Sequence, residues 1–281
     1  MIWLFFGLIV WLLAWGVNIM LANSSISKSL VVRALIPAIF GLTLLFLWEA
    51  VVRAFEVSPA ILPAPSMVAE RFANSTDILW EDFQQTVFKG ALRGYAIGAV
   101  AALGTAILID RSPFLTRGLL PIGNFVAALP IVGIAPILVS WFGFDWHSKA
   151  AVVVVMVFFP ILVNTVQGLR EADAMQRDLM KTYAASYSQT LIKLRLPAAL
   201  PFIFNGLKVA ATLALIGAIV AEYFGSPTRG MGFRISTGVG SLSIDLVWAE
   251  IAVAAAAGTA FYGIVAWFEK KATFWHPSQR G

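Results

Sequence analysis

Cysteine is absent from the 281 residues, and histidine occurs only twice, at His147 and His276. Disulfides, thiolate nucleophiles and cysteine-held metals are therefore excluded, and one copy of the chain cannot build a histidine-rich metal site. Charge is also scarce. Only 12% of residues are Asp, Glu, Lys or Arg, against about 25% in soluble domains. The phosphate-cradling pattern G-x-x-x-x-G-K-[ST] does not occur, which removes a nucleotide site of that kind. No long polar linker interrupts the chain.

What is abundant is apolar. Hydrophobic residues make up 59% of the sequence, and the mean hydropathy is +0.83. A chain this size could not hide so much apolar surface from water, so lipid is the expected solvent. The formal charge of +5 points to topology rather than to nucleic acid, because basic residues near membrane spans record orientation.

Uncharged runs locate the spans: 1–27, 34–48, 94–109, 118–144, 150–169, 196–221 (Lys208 excepted) and 251–268. Crossing the hydrocarbon takes about 20 helical residues, and polar flanks extend the shorter runs. Seven helices follow, making the chain an all-α, polytopic membrane protein. A β-barrel is rejected because the runs do not alternate with period two. The N-terminal run lacks a basic n-region and an A-x-A site, so it reads as a retained span rather than a signal peptide.

Lys and Arg in the connecting loops set the orientation. Twelve fall on the side carrying residues 170–195 and seven on the other, with Lys208 inside a span. The expected topology has a cytoplasmic C-terminus and a periplasmic N-terminus. Two longer segments then lie outside. The first opens with SPAILPAPSMV, whose prolines favour extended or turn geometry. It continues into an interfacial helix with Ile78, Leu79, Phe83, Val87 and Phe88 on one face and Glu81, Asp82, Gln84 and Gln85 on the other. The second, 225–245, is a Gly- and Ser-rich loop expected to hold a short helix.

One segment on the basic side stands apart: DLMKTYAASYSQTLIKLRLPAALP, residues 178–201. Leu179, Met180, Tyr183, Ala184, Tyr187, Leu191 and Leu194 recur at spacings of three and four, which predicts one amphipathic helix over 178–195. Too polar to span, it either joins two spans along the surface or docks a partner.

Several residues inside the spans are polar or break helices. Asn124 and Asn164 suit helix–helix hydrogen bonds or a pathway lining. Lys208 suits snorkelling toward the nearer interface, or a role in anion passage. Glu222 and Glu250 fall near span ends, where an acid is solvated or paired unless it serves the pathway. Pro121, Pro130, Pro136 and Pro160 can kink spans, and the small residues Ala254, Ala256, Gly258 and Ala260 allow close helix packing.

Segment 178–201 resembles the "EAA" loop of permease subunits of binding-protein-dependent ABC importers. That loop runs E-A-A, three residues, Gly, nine residues, Ile-x-Leu-Pro. Anchored on Leu196 and Pro197, the pattern sets Leu194 at Ile, Ala184 at Gly, and Asp178, Leu179 and Met180 at E-A-A. An alanine replaces the glycine adequately if smallness is needed, and inadequately if a positive φ is needed. ILPAPSMV, ALPIVGIAPILVSWFGF, FFPILVNTVQGLREAD, LPAALPFIFNGLKVA and AEYFGSPTRGMG resemble, in family order, segments of the nitrate/sulfonate/taurine/bicarbonate and thiamine-precursor branch.

The resemblance implies a six-helix type I importer core over 34–270, one extra N-terminal transmembrane helix at 1–27, and a cytoplasmic tail at 271–281. It implies a permease that is no enzyme and holds no cofactor, with ATP and Mg in a partner ATPase. Implied partners are a second copy, a cytoplasmic ABC ATPase dimer and a periplasmic solute-binding protein, all at a bacterial inner membrane. Coupling to the ATPase would involve Asp178, Tyr183, Ala184, Ala185, Ser186, Tyr187, Leu191, Leu196 and Pro197. Asn124, Pro130, Pro136, Asn164, Lys208 and Glu222 are the pathway candidates. The solute would be a small anion or small organic molecule. Two rivals fit less well. An ion-coupled secondary transporter would show internal repeats and midplane acids, and an intramembrane enzyme would show a convergent acid, base or metal cluster.

Overall fold

In hydrocarbon a backbone must satisfy its own hydrogen bonds, and a helix does so within one segment. A computed structural model describes residues 2–27, 29–112, 114, 115, 117, 118, 126, 129–226 and 228–275, and among them every regular element is helical. Six helices are long and apolar enough to cross a membrane. The described residues of the seventh expected span, 118–144, include a 12-residue apolar helix, Ile131–Phe142. Pro121 and Asn124 lie outside the described residues.

The chain forms two compact units, Met1–Leu79 with Thr237–Glu250 and Trp80–Ser236 with Ile251–Gly281. In the first unit, α1 (Ile2–Ala22) packs along α2 (Leu30–Ala54). Their axes approach at Gly7, where a Cβ would come within 2.9 Å of the Ala50 Cβ, and Phe6 meets Phe46 edge to face. The proline-rich segment keeps turn and irregular backbone up to Ala64, as expected, and becomes helical at Pro65, opening α3 (Pro65–Asn74). Proline suits that position, since its missing N–H is one a helix start leaves unpaired. The Glu49 carboxylate accepts from the Ser66 N–H at 3.0 Å and the Ser66 hydroxyl at 2.8 Å, anchoring the start of α3 on α2. Glu250 is fully buried here rather than solvated at a span end.

In the second unit, α4 (Thr76–Phe83) runs through a π-helical stretch at Gln84–Ala91 into α5 (Leu92–Arg111). The expected interfacial helix is therefore the start of one 36-residue apolar helix. Asp82, assigned to a water face by periodicity, is fully buried. It shares a buried face with Leu79 and Thr86 at ordinary helical spacing, so the period holds and the face carrying the acid is the packed one.

Next come α6 (Ile131–Phe142), α7 (Trp146–Arg170), the short α8 (Ala174–Thr182) and α9 (Tyr187–Thr190). A π-helical turn, Leu191–Arg195, leads into α10 (Leu196–Gly225), followed by α11 (Met231–Gly240) and α12 (Ile244–Ala272). Helix α7 is the axis of this unit, with α5 and α10 packed on it. Small residues allow the contact: a Cβ on Gly94 or Gly98 would collide with Val153 or Val157, and one on Gly168 with Phe202. Van der Waals packing across glycine notches is what holds helices together in lipid. The predicted small-residue seam on α12 does less: Gly258 is buried near Leu215, while Ala256 and Ala260 are exposed.

Candidate functional site

Segment 171–201 is not one helix. Helix α8 stops at Tyr183, and Ala184 takes φ +49°. The Ala185 N–H reaches back to the Met180 carbonyl at 3.0 Å and the Ala184 N–H to the Lys181 carbonyl at 2.8 Å. These two bonds define a Schellman ending, whose left-handed residue is ordinarily glycine. Ala184 occupies the glycine position of the EAA pattern, and the position requires a positive φ. Smallness alone does not explain it.

A second helix then starts. The Ser186 hydroxyl accepts from the Gln189 N–H, and the Gln189 side chain accepts from the Ser186 N–H. This is a reciprocal capping box. The predicted stripe is thereby cut in two, and its halves face different ways. Leu179 and Tyr183 are exposed, at 55% and 76%, and Met175 joins them at 77%. These three apolar side chains recur every four residues along α8 and its C-cap, outside the spans. Leu191 turns inward against Leu169, Ala199 and Ile203, with Tyr187 and Leu196 packed on the same cluster. Pro197 follows the π-helical turn inside one continuous helix, Tyr187–Gly225, so its missing N–H falls within helical backbone.

A polar junction fixes the inward half. Both Asp110 carboxylate oxygens, at the end of α5, accept from Arg195, at 2.5 and 2.7 Å. The Tyr187 hydroxyl donates to Asp110 at 2.8 Å. Arg195 Nε donates to the Leu169 carbonyl near the end of α7 at 2.9 Å, and Arg111 lies 4.8 Å over the Tyr187 ring. A bidentate guanidinium–carboxylate pair fixes orientation as well as distance. Helices α5, α7 and α10 thus converge on the residues that follow the exposed face. Asp178 is solvent-facing. A hydrogen bond from Lys181 at 2.8 Å holds its carboxyl below the usual range.

The pathway candidates separate. Pro130 precedes α6 and Pro136 lies within it. Asn164 donates to the Pro160 carbonyl at 2.8 Å and accepts from Asn205 at 3.0 Å, tying α7 to α10. Lys208 does not snorkel alone, since its ammonium lies 2.6 Å from Glu269 on α12. Glu222 is fully buried. It accepts from the Thr86 hydroxyl at 2.7 Å and the Gly232 N–H at 3.1 Å, so a solvated span end is overturned.

Around Glu222 lie residues that periodicity missed. Asp82 accepts from the Gly230 N–H and pairs with Arg234 at 2.7 Å. Lys149, expected in an outer loop, is buried in the first turn of α7 and donates to the Phe144 and Gly225 carbonyls. Gly230 (φ +113°) packs so closely on the Glu222 carboxyl that a Cβ would come within 2.4–2.6 Å of it. Asp110 and Arg195 were also missed, although a lone acid ending an uncharged run was a usable signal. Among the described residues, no group of three or more His, Asp or Glu could hold a metal ion.

Helices apolar and long enough to span, with an exposed apolar face outside them, have the make-up of a transport permease. Residues 94–274 match the family described as "Binding-protein-dependent transport system inner membrane component". The chain is 32% identical to a "Probable ABC transporter permease protein" of Haemophilus influenzae, over 84% of this chain and 96% of the relative. It is 32% identical to the "Formylaminopyrimidine transport permease protein ThiX" of Halalkalibacterium halodurans, covering 72% and 80%. Over 75% and 79% it is 28% identical to the "Taurine transport system permease protein TauC" of Escherichia coli. The chain belongs to the binding-protein-dependent transport system inner membrane component family. It is the permease subunit of an ABC transporter for small solutes, and ATP hydrolysis in such a transporter falls to a separate ATPase.

Proposed function

We propose that this chain forms, with a second copy of itself, the path for a small solute handed over by a periplasmic binding protein, and that α8 docks the ATPase. In this reading residues 170–195 face the cytoplasm, with the C-terminus on the same side and the N-terminus outside. One observation carries the docking reading: Met175, Leu179 and Tyr183 form an exposed apolar face on a helix outside the spans. In water such a face is costly, and a groove on a partner would cover it. The Asp110–Arg195–Tyr187 junction supports a mechanical role. It ties the residues just after that face to three spanning helices, so a displacement of α8 would be passed to the bundle rather than absorbed by a loose loop. ATP and Mg would be held by the ATPase dimer.

Relatives are named for formylaminopyrimidine, aliphatic sulfonates, riboflavin, bicarbonate and taurine. So wide a range on one scaffold fits a permease whose selectivity rests largely with the binding protein. A small anion or small organic solute is the class we assign. The test is co-purification with the ABC ATPase. Leu179→Asp combined with Tyr183→Asp should reduce retained ATPase at least about tenfold, a loss of about 1.4 kcal/mol or more, with unchanged permease in the membrane. Undiminished retention would remove α8 as the docking element.

A further inference from the structure

The structure points to the face of α10 that carries Asn205 as a water-bearing wall of the solute path. This assignment rests on the transport reading above and extends it to a named surface. Along α10, Asn205, Val209, Thr212 and Ile216 follow one another at spacings of four, three and four, which puts them on one side of the helix. Asn205, Val209 and Ile216 are exposed, while Gly206, Ala210, Ala211, Ala214, Leu215 and Gly217 on the other side are buried.

Two observations separate this face from an ordinary lipid-facing one. First, an exposed amide stands at its start. The Asn205 Nδ2 donates to Asn164 Oδ1, Asn164 donates on to the Pro160 carbonyl, and the Asn205 side chain remains exposed. Amides are poor partners for hydrocarbon, and polar groups at this depth face a water-filled cavity or a protein interior. Second, a cavity of about 190 Å³, lined in part by Ile131, Val155, Met156, Pro160 and Leu213, reaches Pro160, one helical turn before Asn164. Pro160 belongs to both features: it lines the cavity, and its carbonyl accepts from Asn164. Pro160 is thus the residue the cavity and the amide pair share, and the rest of the cavity lining includes residues of α6, α7 and α10.

The chemistry of this wall is neutral. Lys208, the cation nearest in sequence, is engaged by Glu269. An amide offers both a donor and an acceptor without fixing a charge, so the wall suits a polar solute that crosses without being held. The Asn164–Asn205 pair is its polar contact, and Thr212, whose hydroxyl donates to the Val209 carbonyl at 2.9 Å, extends the face outward.

The absence of cysteine makes the test clean. Single variants Asn205→Cys, Thr212→Cys and Leu12→Cys, in the full chain in membrane vesicles, are exposed to a membrane-impermeant cationic methanethiosulfonate. Only a water-exposed thiol forms the thiolate that reacts. Leu12, exposed on the apolar α1, reports the rate in lipid. Asn205→Cys should react at least tenfold faster than Leu12→Cys. Thr212→Cys, nearly isosteric, takes its place if Asn205→Cys fails to insert. A rate no faster than that of Leu12→Cys, whether lipid or a second copy covers the face, overturns the assignment. Neither the ATPase nor the binding protein is needed, so a failure of the docking reading leaves this outcome readable.

Discussion

Asp110 and Arg195, 85 residues apart in sequence, meet in a two-pronged ion pair with N–O distances of 2.5 and 2.7 Å. Their side chains are only 8% and 14% exposed. Removing one partner leaves the other charge with little water to compensate it. Asp110→Asn should lower the stability of the detergent-solubilised protein by about 2–3 kcal/mol, and Arg195→Gln by a similar amount. The double variant should lose about 1–3 kcal/mol less than the two single losses combined. Thermal unfolding of the four proteins measures this, and strict additivity would mean the pair is not coupled.

Ala184 gives a prediction of opposite sign. A side chain in the left-handed region costs about 1–2 kcal/mol, and Ala184 sits there at φ +49°. Ala184→Gly should therefore raise stability by up to about 1 kcal/mol, the gain being trimmed by the freer unfolded chain. Ala184→Val, β-branched, should lower it by more than that. Limited proteolysis between residues 180 and 190 reports the local effect directly, with Gly slower to cleave than Ala and Val faster.

Gly230 and Glu222 form a second close relationship. A Cβ at 230 would lie 2.4–2.6 Å from the Glu222 carboxyl, and φ there is +113°. Gly230→Ala should destabilise by more than about 2 kcal/mol, through collision and backbone strain together. In a Glu222→Ala background the collision is gone, so the same change should cost less. Equal costs in both backgrounds, read from melting temperatures, would show that the carboxyl is not the obstacle.

Lys208 and Glu269 test how an intramembrane charge is accommodated. Their side chains are 17% and 12% exposed, 2.6 Å apart. Lys208→Met should cost about 2–4 kcal/mol because it leaves an acid unpaired in a poor solvent for charge. Lys208→Met with Glu269→Leu should recover most of the loss. Thermal melts of the single and double variants distinguish this pair from a lysine that merely reaches for the interface, for which Glu269 would make no difference.

Much of the architecture was legible because lipid leaves a backbone few options. The uncharged runs located the spans, and the order of short motifs pointed to the family later shown by comparison. Periodicity failed where the face that packs inward carries charge. Asp82, which its charge had assigned to water, lies on the buried face with Leu79 and Thr86, and Arg195, in the π-helical turn Leu191–Arg195, meets Asp110. Segment 178–195 was misread as one helix although Ser186 and Gln189 spell a capping box, a start signal that the apolar stripe obscured. Lys149 and Glu222 defied reading for another reason. Their partners are backbone carbonyls, a backbone N–H and a threonine from distant segments, and charge patterning along the chain cannot register such partners.

The central claim, that α8 docks an ATPase, is tested most directly by cross-linking. The chain has no thiol of its own, so Tyr183→Cys supplies a single attachment point on the exposed face of α8. Trp141→Cys, 74% exposed near the end of α6, supplies one at the other end of the bundle. Each carries a short photo-cross-linker in membranes containing the ABC ATPase. We predict a cross-linked permease–ATPase product from Tyr183→Cys and none from Trp141→Cys. A product from Trp141→Cys with none from Tyr183→Cys would contradict both the docking face and the orientation of the chain.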